Sequence, residues 1–433
     1  MERIFHLQER GTTVGRELVA GVVTFFTMSY ILAANPGMLG GIGEGITPGA
    51  VFTATAIASA IATLFMALAA NLPVALAPNL GLSAFFTYTV VFEWGYSWQA
   101  ALTAVLIQGI LFIIISVTGI RKLIINAIPL NLKKAITVGI GFQIAYTGLE
   151  NAGVISGDLA SLSLGITSNP SAIVTIIGLL ITIALYSKHV PGAILLGIIG
   201  TALVAIPIGG TIFPEGFTFF RLPEAPVSFQ FDFSAITDWK FFVVVFTFLF
   251  LDVFNTVGAL VGVTAQAGFI KEDVGEGEIR RSLPAFLAAA VGSVVGALLG
   301  TSPVSAYVES GAGVGTGGRT GLSSVFTGLL FIAALFMSPL FLMVPSYAMA
   351  PAMVMVGILL MWKVTEIDFT YATEAIPAIL TIAMMPFTSS IAEGIVYGLL
   401  SFVLIKSLTG KGKYVPVATW IISAVFIIRF FIH

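Results

Sequence analysis

The chain has 433 residues, 58% of them hydrophobic and 9% charged, with a formal net charge of -2. Soluble domains are about 45–50% apolar and about 25% charged, so the composition describes a polytopic membrane protein rather than a soluble domain with an anchor. The near-neutral balance gives no footing for nucleic acid or acidic partners, and the lack of cysteine excludes disulfides, thiol catalysis and thiolate metal sites.

In chain order, Met1–His6 carries no cleavable-signal pattern, and the first apolar run is read as a span. Spans able to cross about 30 Å of hydrocarbon are predicted over 17–36, 50–70, 98–119, 132–150, 170–187, 190–208, 241–263, 283–300, 321–344, 346–362, 374–388 and 391–408. Two more apolar segments, 73–91 and 302–316, are interrupted by proline and glycine. The fold class is therefore an all-α polytopic membrane protein of about fourteen spans. A stretch carrying Pro214, Pro223 and Pro226 divides it. The expected units are a first repeat over 1–210, an extracellular connector over 211–240, a second repeat over 241–410 and a further apolar helix over 411–433. The run 415–432 could either span or lie along the inner face.

The halves echo each other. Setting Pro73 against Pro303 puts Asn79 against Glu309 and Gly81 against Gly311. Thr24–Ser29 lines up with Thr247–Asp252, and Ala172–Ile176 with Ala378–Ile382. Seven spans per half is odd, which requires an inverted repeat, and paired broken helices mark a substrate site near the bilayer midplane. Positive charge gives the orientation. With the N-terminus cytoplasmic, 16 of the 19 basic residues fall on cytoplasmic sides, Arg221, Lys240 and Arg429 being the others.

Two acids lie within spans, Asp252 and Glu309. A carboxylate at midplane costs on the order of 2.5–3.5 kcal/mol on insertion scales, so such groups face cavities and serve a purpose. Asn255, three residues on from Asp252, shares its helix face. Ser29 and Ser83 are candidate polar lining, with small-residue packing as the alternative. Tyr307 and the Phe85–Phe86 pair offer flat faces for stacking. The glycines from Gly311 to Gly318 lack the Lys-Ser/Thr ending and βαβ setting of a phosphate loop. None of His6, His189 and His433 lies mid-span, so no histidine relay, transition-metal site or cofactor is expected.

The motifs Ala77-Pro78…Gly81-Leu82-Ser83-Ala84-Phe85-Phe86, Asp252…Asn255-Thr256-Val257-Gly258, Glu309-Ser310…Gly317-Gly318-Arg319-Thr320-Gly321 and Ile376-Pro377…Met385-Pro386-Phe387 carry a resemblance. The chain resembles the AzgA-like hypoxanthine/adenine/guanine permeases of the nucleobase–cation symporter (nucleobase/ascorbate transporter) superfamily over nearly its whole length. That resemblance implies core and gate domains, a homodimer in the cell inner membrane, and proton-coupled purine uptake without a cofactor. It assigns substrate binding and proton coupling to Asp252 and Glu309, and pairs Tyr307 with Glu309 as in related uracil permeases. The family's Ala-Pro-Gly-Met-Gly-x-Asn-Ala reads Ala77-Pro78-Asn79-Leu80-Gly81-Leu82-Ser83-Ala84 here, and its second acid on the span after the connector is Asn255.

The expected site is thus Glu309, Asp252, Asn255, Ser83, Tyr307, Phe86 and Ser29, with a proton or sodium ion as coupling partner. The alternative is another solute on the same fold: uracil, xanthine or an anion. An anion carrier calls for a neutral or basic residue where Glu309 stands, because a half-helix N-terminus already favours negative charge. An enzyme would need a nucleophile–base or metal constellation at membrane depth, and the sequence offers none.

Overall fold

The computed structural model describes residues 2–118, 129–156, 163–164, 170–190, 192–206, 218–268, 282–342, 346–388, 391–417, 419–420 and 423–424. Arg121, Lys122, Lys271, Arg280, Arg281 and Arg429, the start of the connector and most of 415–432 lie outside the described residues.

Helix α1 (Glu2–Phe5) precedes a first span that is broken in two, α2 (Val14–Met28) and α3 (Ile31–Leu39). Thr13 caps α2, its hydroxyl accepting the Arg16 N–H at 3.3 Å. Helix α4 (Pro48–Phe65) starts from Thr47, which caps Ala50 at 3.1 Å, and has Pro48 in the first position, where no amide donor is needed. It widens into a π stretch to Ala70 and stops at Asn71, whose φ of 51° is left-handed. The first broken segment is strand β1 (Leu76–Pro78) followed by α5 (Leu80–Ala84), itself continued by a π stretch, Phe85–Glu93. Then come α6 (Trp98–Thr118), α7 (Leu130–Asn151), the paired strands β2 (Ile155–Ser156) and β3 (Ser163–Leu164), α8 (Pro170–Ser187) and α9 (Ala193–Ala205).

The second half runs α10 (Trp239–Gln266), α11 (Ser282–Leu299), strand β4 (Val304–Ala306) with α12 (Ser310–Gly315), α13 (Gly321–Ala334), α14 (Ser338–Leu342), α15 (Ser346–Met361), α16 (Ala372–Phe387) and α17 (Ile391–Leu408). The expected spans coincide with these elements apart from differences at the ends, except that 17–36 is divided between α2 and α3 and 321–344 between α13 and α14. Among the described residues, seven helices are long and apolar enough to cross a membrane.

The centre of the molecule is the antiparallel pair β1–β4, with Leu76 opposite Ala306, Ala77 opposite Ser305 and Pro78 opposite Val304. The ladder continues at both ends, Asn79 N–H donating to Pro303 O and Tyr307 N–H to Ala75 O, each at 3.0 Å. Each strand's outer edge meets a hydroxyl from the helix before it. Thr63 of α4 accepts the Leu76 N–H at 2.9 Å and donates to Leu76 O at 3.0 Å. Ser293 of α11 accepts the Val304 N–H at 2.9 Å, with Val304 O 3.2 Å away. These twin clamps, and a strand pair that maps onto itself under a half-turn, are the inverted repeat expressed as contacts.

The helices sort into two bodies. One holds α2–α6, α10–α14 and both central strands; the other holds α7–α9 and α15–α17. Helices of the second body meet over small residues, as membrane helices do. A side chain at Gly141 of α7 would lie 2.6 Å from Gly357 O of α15, and one at Gly357 would lie 2.5 Å from Gly141 O. Thr182 fills the notch at Gly197 while Thr201 fills the one at Gly178. Among the described residues, these connector hydrogen bonds go to the first body: Arg221 N–H donates to Phe336 O and Phe229 N–H to Leu298 O, both at 2.9 Å, and Asp232 N–H to Thr103 Oγ1 at 3.0 Å.

Because the chain lacks cysteine, single cysteines report side cleanly. A cysteine at Ser228 should react with an impermeant maleimide from the face opposite to one at Lys363. Labelling of both from one side would break the seven-plus-seven arrangement.

Candidate functional site

Where the two broken helices meet, the segments leading from strand to helix place Asn79 and Glu309 at the N-termini of α5 and α12. They are corresponding positions, but their side chains differ in availability. Asn79 Oδ1 is used as a cap, accepting Gly81 N–H at 2.9 Å and Leu82 N–H at 3.3 Å. Glu309 makes no side-chain cap, so its carboxylate is left for other partners. One oxygen accepts the Tyr30 hydroxyl at 3.0 Å. Tyr30 stands in the gap between α2 and α3, and Tyr307 beside it donates its hydroxyl to Pro78 O at 2.5 Å.

These groups line a cavity of about 100 Å³ between the two bodies. The first body contributes Tyr30, Asn79, Asn255, Ala306, Tyr307 and Glu309; the second contributes Thr137 and Ile140 of α7 with Val356 and Leu360 of α15. The first body also supplies Leu80, Gly81, Ala259 and Val308, so the polar groups stand mostly on its wall among apolar residues, and the other wall is apolar apart from Thr137. A larger cavity of about 800 Å³ begins at Val308 and Glu309 and continues past Gln266 and Thr316 to Tyr186 and His189. Val308, 61% exposed, projects where the two cavities meet. The far end of α12 is anchored as well. The Arg319 guanidinium donates to Val314 O and Gly318 O at 2.7 Å, while the buried Glu17 accepts the Arg319 and Ser323 N–H groups at 2.8 and 3.1 Å.

Of the residues expected from sequence, Glu309, Tyr307 and Asn255 line the cavity together. Asp252 lies behind β4, fully buried: Oδ1 accepts the Ser305 hydroxyl at 2.7 Å, and Oδ2 accepts the Ser293 hydroxyl at 2.8 Å and Gln108 Nε2 at 3.3 Å. Ser83 is one member of a buried hub. The Asn35 amide donates to Thr55 and Thr301 at 2.8 and 2.7 Å and accepts the Ser83 hydroxyl at 2.7 Å; Ser302 lies 2.7 Å from Ser83. Phe86 is packed against Phe248, and Ser29 donates to Phe26 O at 3.3 Å; neither lines the cavity. Sequence reasoning did not pick out Tyr30, although a tyrosine hydroxyl at mid-span was a signal beside Ser29. Nor did it pick out Gln108, Ser293 and Ser305, which look like ordinary small or polar lining until the strand brings them together.

A "Permease family" model (Xan_ur_permease) matches residues 15–397. The chain is 40% identical to the guanine/hypoxanthine permease PbuO of Bacillus subtilis (strain 168), across 99% of this chain and 100% of that one. It is 37% identical to the adenine permease AdeQ of Escherichia coli (strain K12), across 99% and 96%. Among solved structures, the transmembrane domain of a cyanobacterium bicarbonate transporter, BicA, superposes with a TM-score of 0.66 at 13% identity, covering 88% of this chain and 97% of that one. That likeness is one of fold, the seven-plus-seven inverted repeat.

The Asn35 hub makes a stability prediction. Asn35→Ala strands several buried hydroxyls, and at about 1–3 kcal/mol for each one left unpaired the loss is large. The unfolding temperature in detergent should fall clearly, and by more than in Ser83→Ala, which removes only one hydroxyl from the hub.

Proposed function

Since the chain belongs to the permease family, a family of transporters and not enzymes, we propose that it imports purine nucleobases by proton symport through alternating access. The observation that supports this most is the uncapped carboxylate of Glu309 at the mouth of a half-helix, set beside two tyrosines and facing an apolar wall. A nucleobase is flat, neutral and edged with N–H and C=O groups. Glu309 accepts from its N–H edge, the Asn79 and Asn255 amides meet other polar edge atoms, and Ile140, Val356 and Leu360 cover a face. Such a site rejects analogues that lack the hydrogen bonds, because its own groups are then left unpaired. The purine relatives favour hypoxanthine, guanine or adenine as the cargo. An anion is disfavoured, since it would have to settle where Glu309 already carries negative charge.

In this reading the protein sits in the cell membrane with its basic loops cytoplasmic, so the larger cavity is the inner vestibule and Val308 stands on the exit path. The second body serves as the gate and the dimer platform, and the first carries the base. Asp252, one helical stripe from Asn255, takes the coupling proton. Base and proton then favour the same conformations, and each raises the affinity for the other by the same factor.

In proteoliposomes, unlabelled purines should displace radiolabelled hypoxanthine, while uracil and sulfate should not; the reverse ranking would replace the purine reading. Glu309→Gln should fold and lose roughly ten- to a hundredfold in base affinity, the equivalent of about 1.5–3 kcal/mol for a hydrogen bond to a charged group. Asp252→Asn should keep some base binding yet fail to concentrate base under a pH gradient alone. Accumulation by that variant would move the coupling group to Glu309.

A further inference from the structure

The connector carries apolar side chains where an aqueous loop would carry polar ones. Phe219, Phe220 and Leu222 are 63%, 68% and 81% exposed. Arg221 between them is exposed as well, and among the described residues its guanidinium forms no ion pair. The next acid along the described connector, Glu224, is engaged by the Thr47 hydroxyl at the start of α4. Three large apolar groups and one unbalanced cation thus stand side by side on the rim of the first body.

The hydrogen bonds of the connector give its depth. Arg221 N–H donates to the carbonyl of Phe336, in the 3₁₀ turn Leu335–Met337 that ends α13, and Phe229 N–H donates to that of Leu298 in α11. At about 1.5 Å per residue, Phe336 stands about 23 Å from Gly321 and Leu298 about 24 Å from Ser282. Basic residues mark the inner end of both helices in the sequence, Arg319 before one and Arg280 and Arg281 before the other. A hydrocarbon layer is about 30 Å thick, so the bonded stretch lies roughly 5–10 Å below its far surface. The exposed side of the α13 span is apolar there, with Leu329, Ile332 and Phe336 all open to lipid, and the connector's apolar side chains extend that surface.

We infer that Phe219, Phe220 and Leu222 enter the outer leaflet at the boundary of headgroups and acyl chains, with Arg221 on a lipid phosphate, so that the connector anchors the rim of the first body in the membrane. Interfacial binding of this kind combines buried apolar area with attraction to anionic groups. Arginine suits the place, because its planar guanidinium pairs with phosphate while its stem lies along apolar surface. The irregular backbone of 219–222 fits this boundary and not the hydrocarbon centre, since headgroup water can take N–H and C=O groups that protein does not. Arg221 is also one of the few basic residues that depart from the positive-inside pattern, and a phosphate partner gives it a use. The inference goes beyond the transport reading and holds whichever solute is carried.

The test uses the whole protein in bilayers of phosphatidylcholine and phosphatidylglycerol, and the lack of native cysteine makes single labels possible. Phe220→Cys, Leu222→Cys and Ala225→Cys each receive a nitroxide, and monodisperse elution before reconstitution checks that each variant is folded. Ala225 is exposed beyond Pro223 and serves as the aqueous reference. Collisions with dissolved oxygen, which concentrates among acyl chains, are compared with those of a water-soluble nickel chelate. The labels at 220 and 222 should favour oxygen several-fold more than the label at 225, at a depth of about 5–10 Å. In an Arg221→Glu background, which repels phosphate, the oxygen preference at 222 should fall by about half or more. A preference for nickel at 220 and 222 would place them in water. Exclusion of both reagents would place them under the second body or a second copy of the chain. Either result overturns the inference, and an unchanged label at 222 in Arg221→Glu would overturn the phosphate contact.

Discussion

Two pieces of bare backbone that must satisfy each other inside a membrane govern this architecture. A strand at membrane depth has no water to take its N–H and C=O groups, and it survives only where protein supplies every partner. Here each broken helix supplies the other's partner, through β1 and β4, and one hydroxyl from the preceding helix closes each outer edge. The half-helices that follow are short, so their N-termini must emerge beside the strand pair. Position and chemistry of the cavity follow from that geometry.

The division into two bodies follows from what does and does not cross between them. The contacts that cross are chiefly apolar: Gly37 against Met349, Gly192 against Phe26, and Gly81 against Ile140 and Ile144. On α10, Phe246 stacks on Phe250, Phe254 packs against Phe250 at a tilt one turn on, and Lys133 Nζ of α7 lies 5.0 Å from the last ring. Apolar contact is non-directional, which suits the shift of one body against the other that the proposed alternating access requires. Within the first body the reverse holds, because the Asn35 hub, the strand clamps and the Arg319 anchor are all directional.

Much of this was legible in the sequence. Apolar runs and the two proline–glycine breaks marked the spans, since helix length in a bilayer is fixed by hydrocarbon thickness. Glu309 stood out because an acid in a broken helix has few innocent explanations. Facing was harder to read. Residues three apart on α10 share a side of the helix, yet Asn255 meets the cavity while Asp252 meets the back of β4; a turn of about 60° decides it. Ser83 sits in the right segment, but its hydroxyl is committed to Asn35, a residue from another helix that periodicity cannot bring near. The π stretch after Ala84 has the same effect on Phe86, because a widened turn changes the angle at which later side chains emerge.

The strand pair also sets a timetable for making the protein. Pro78 and Tyr307, which close one end of it, are 229 residues apart in the chain. At about 5–20 residues per second, the first half emerges roughly ten to fifty seconds before its partner strand exists. Through that interval β1 has Thr63 on one side and an open edge on the other. Until Val304–Ala306 arrives, the open edge of β1 lacks the strand that satisfies it in the folded protein. A slow codon run or a truncation before Val304 would leave that edge free to pair with another chain.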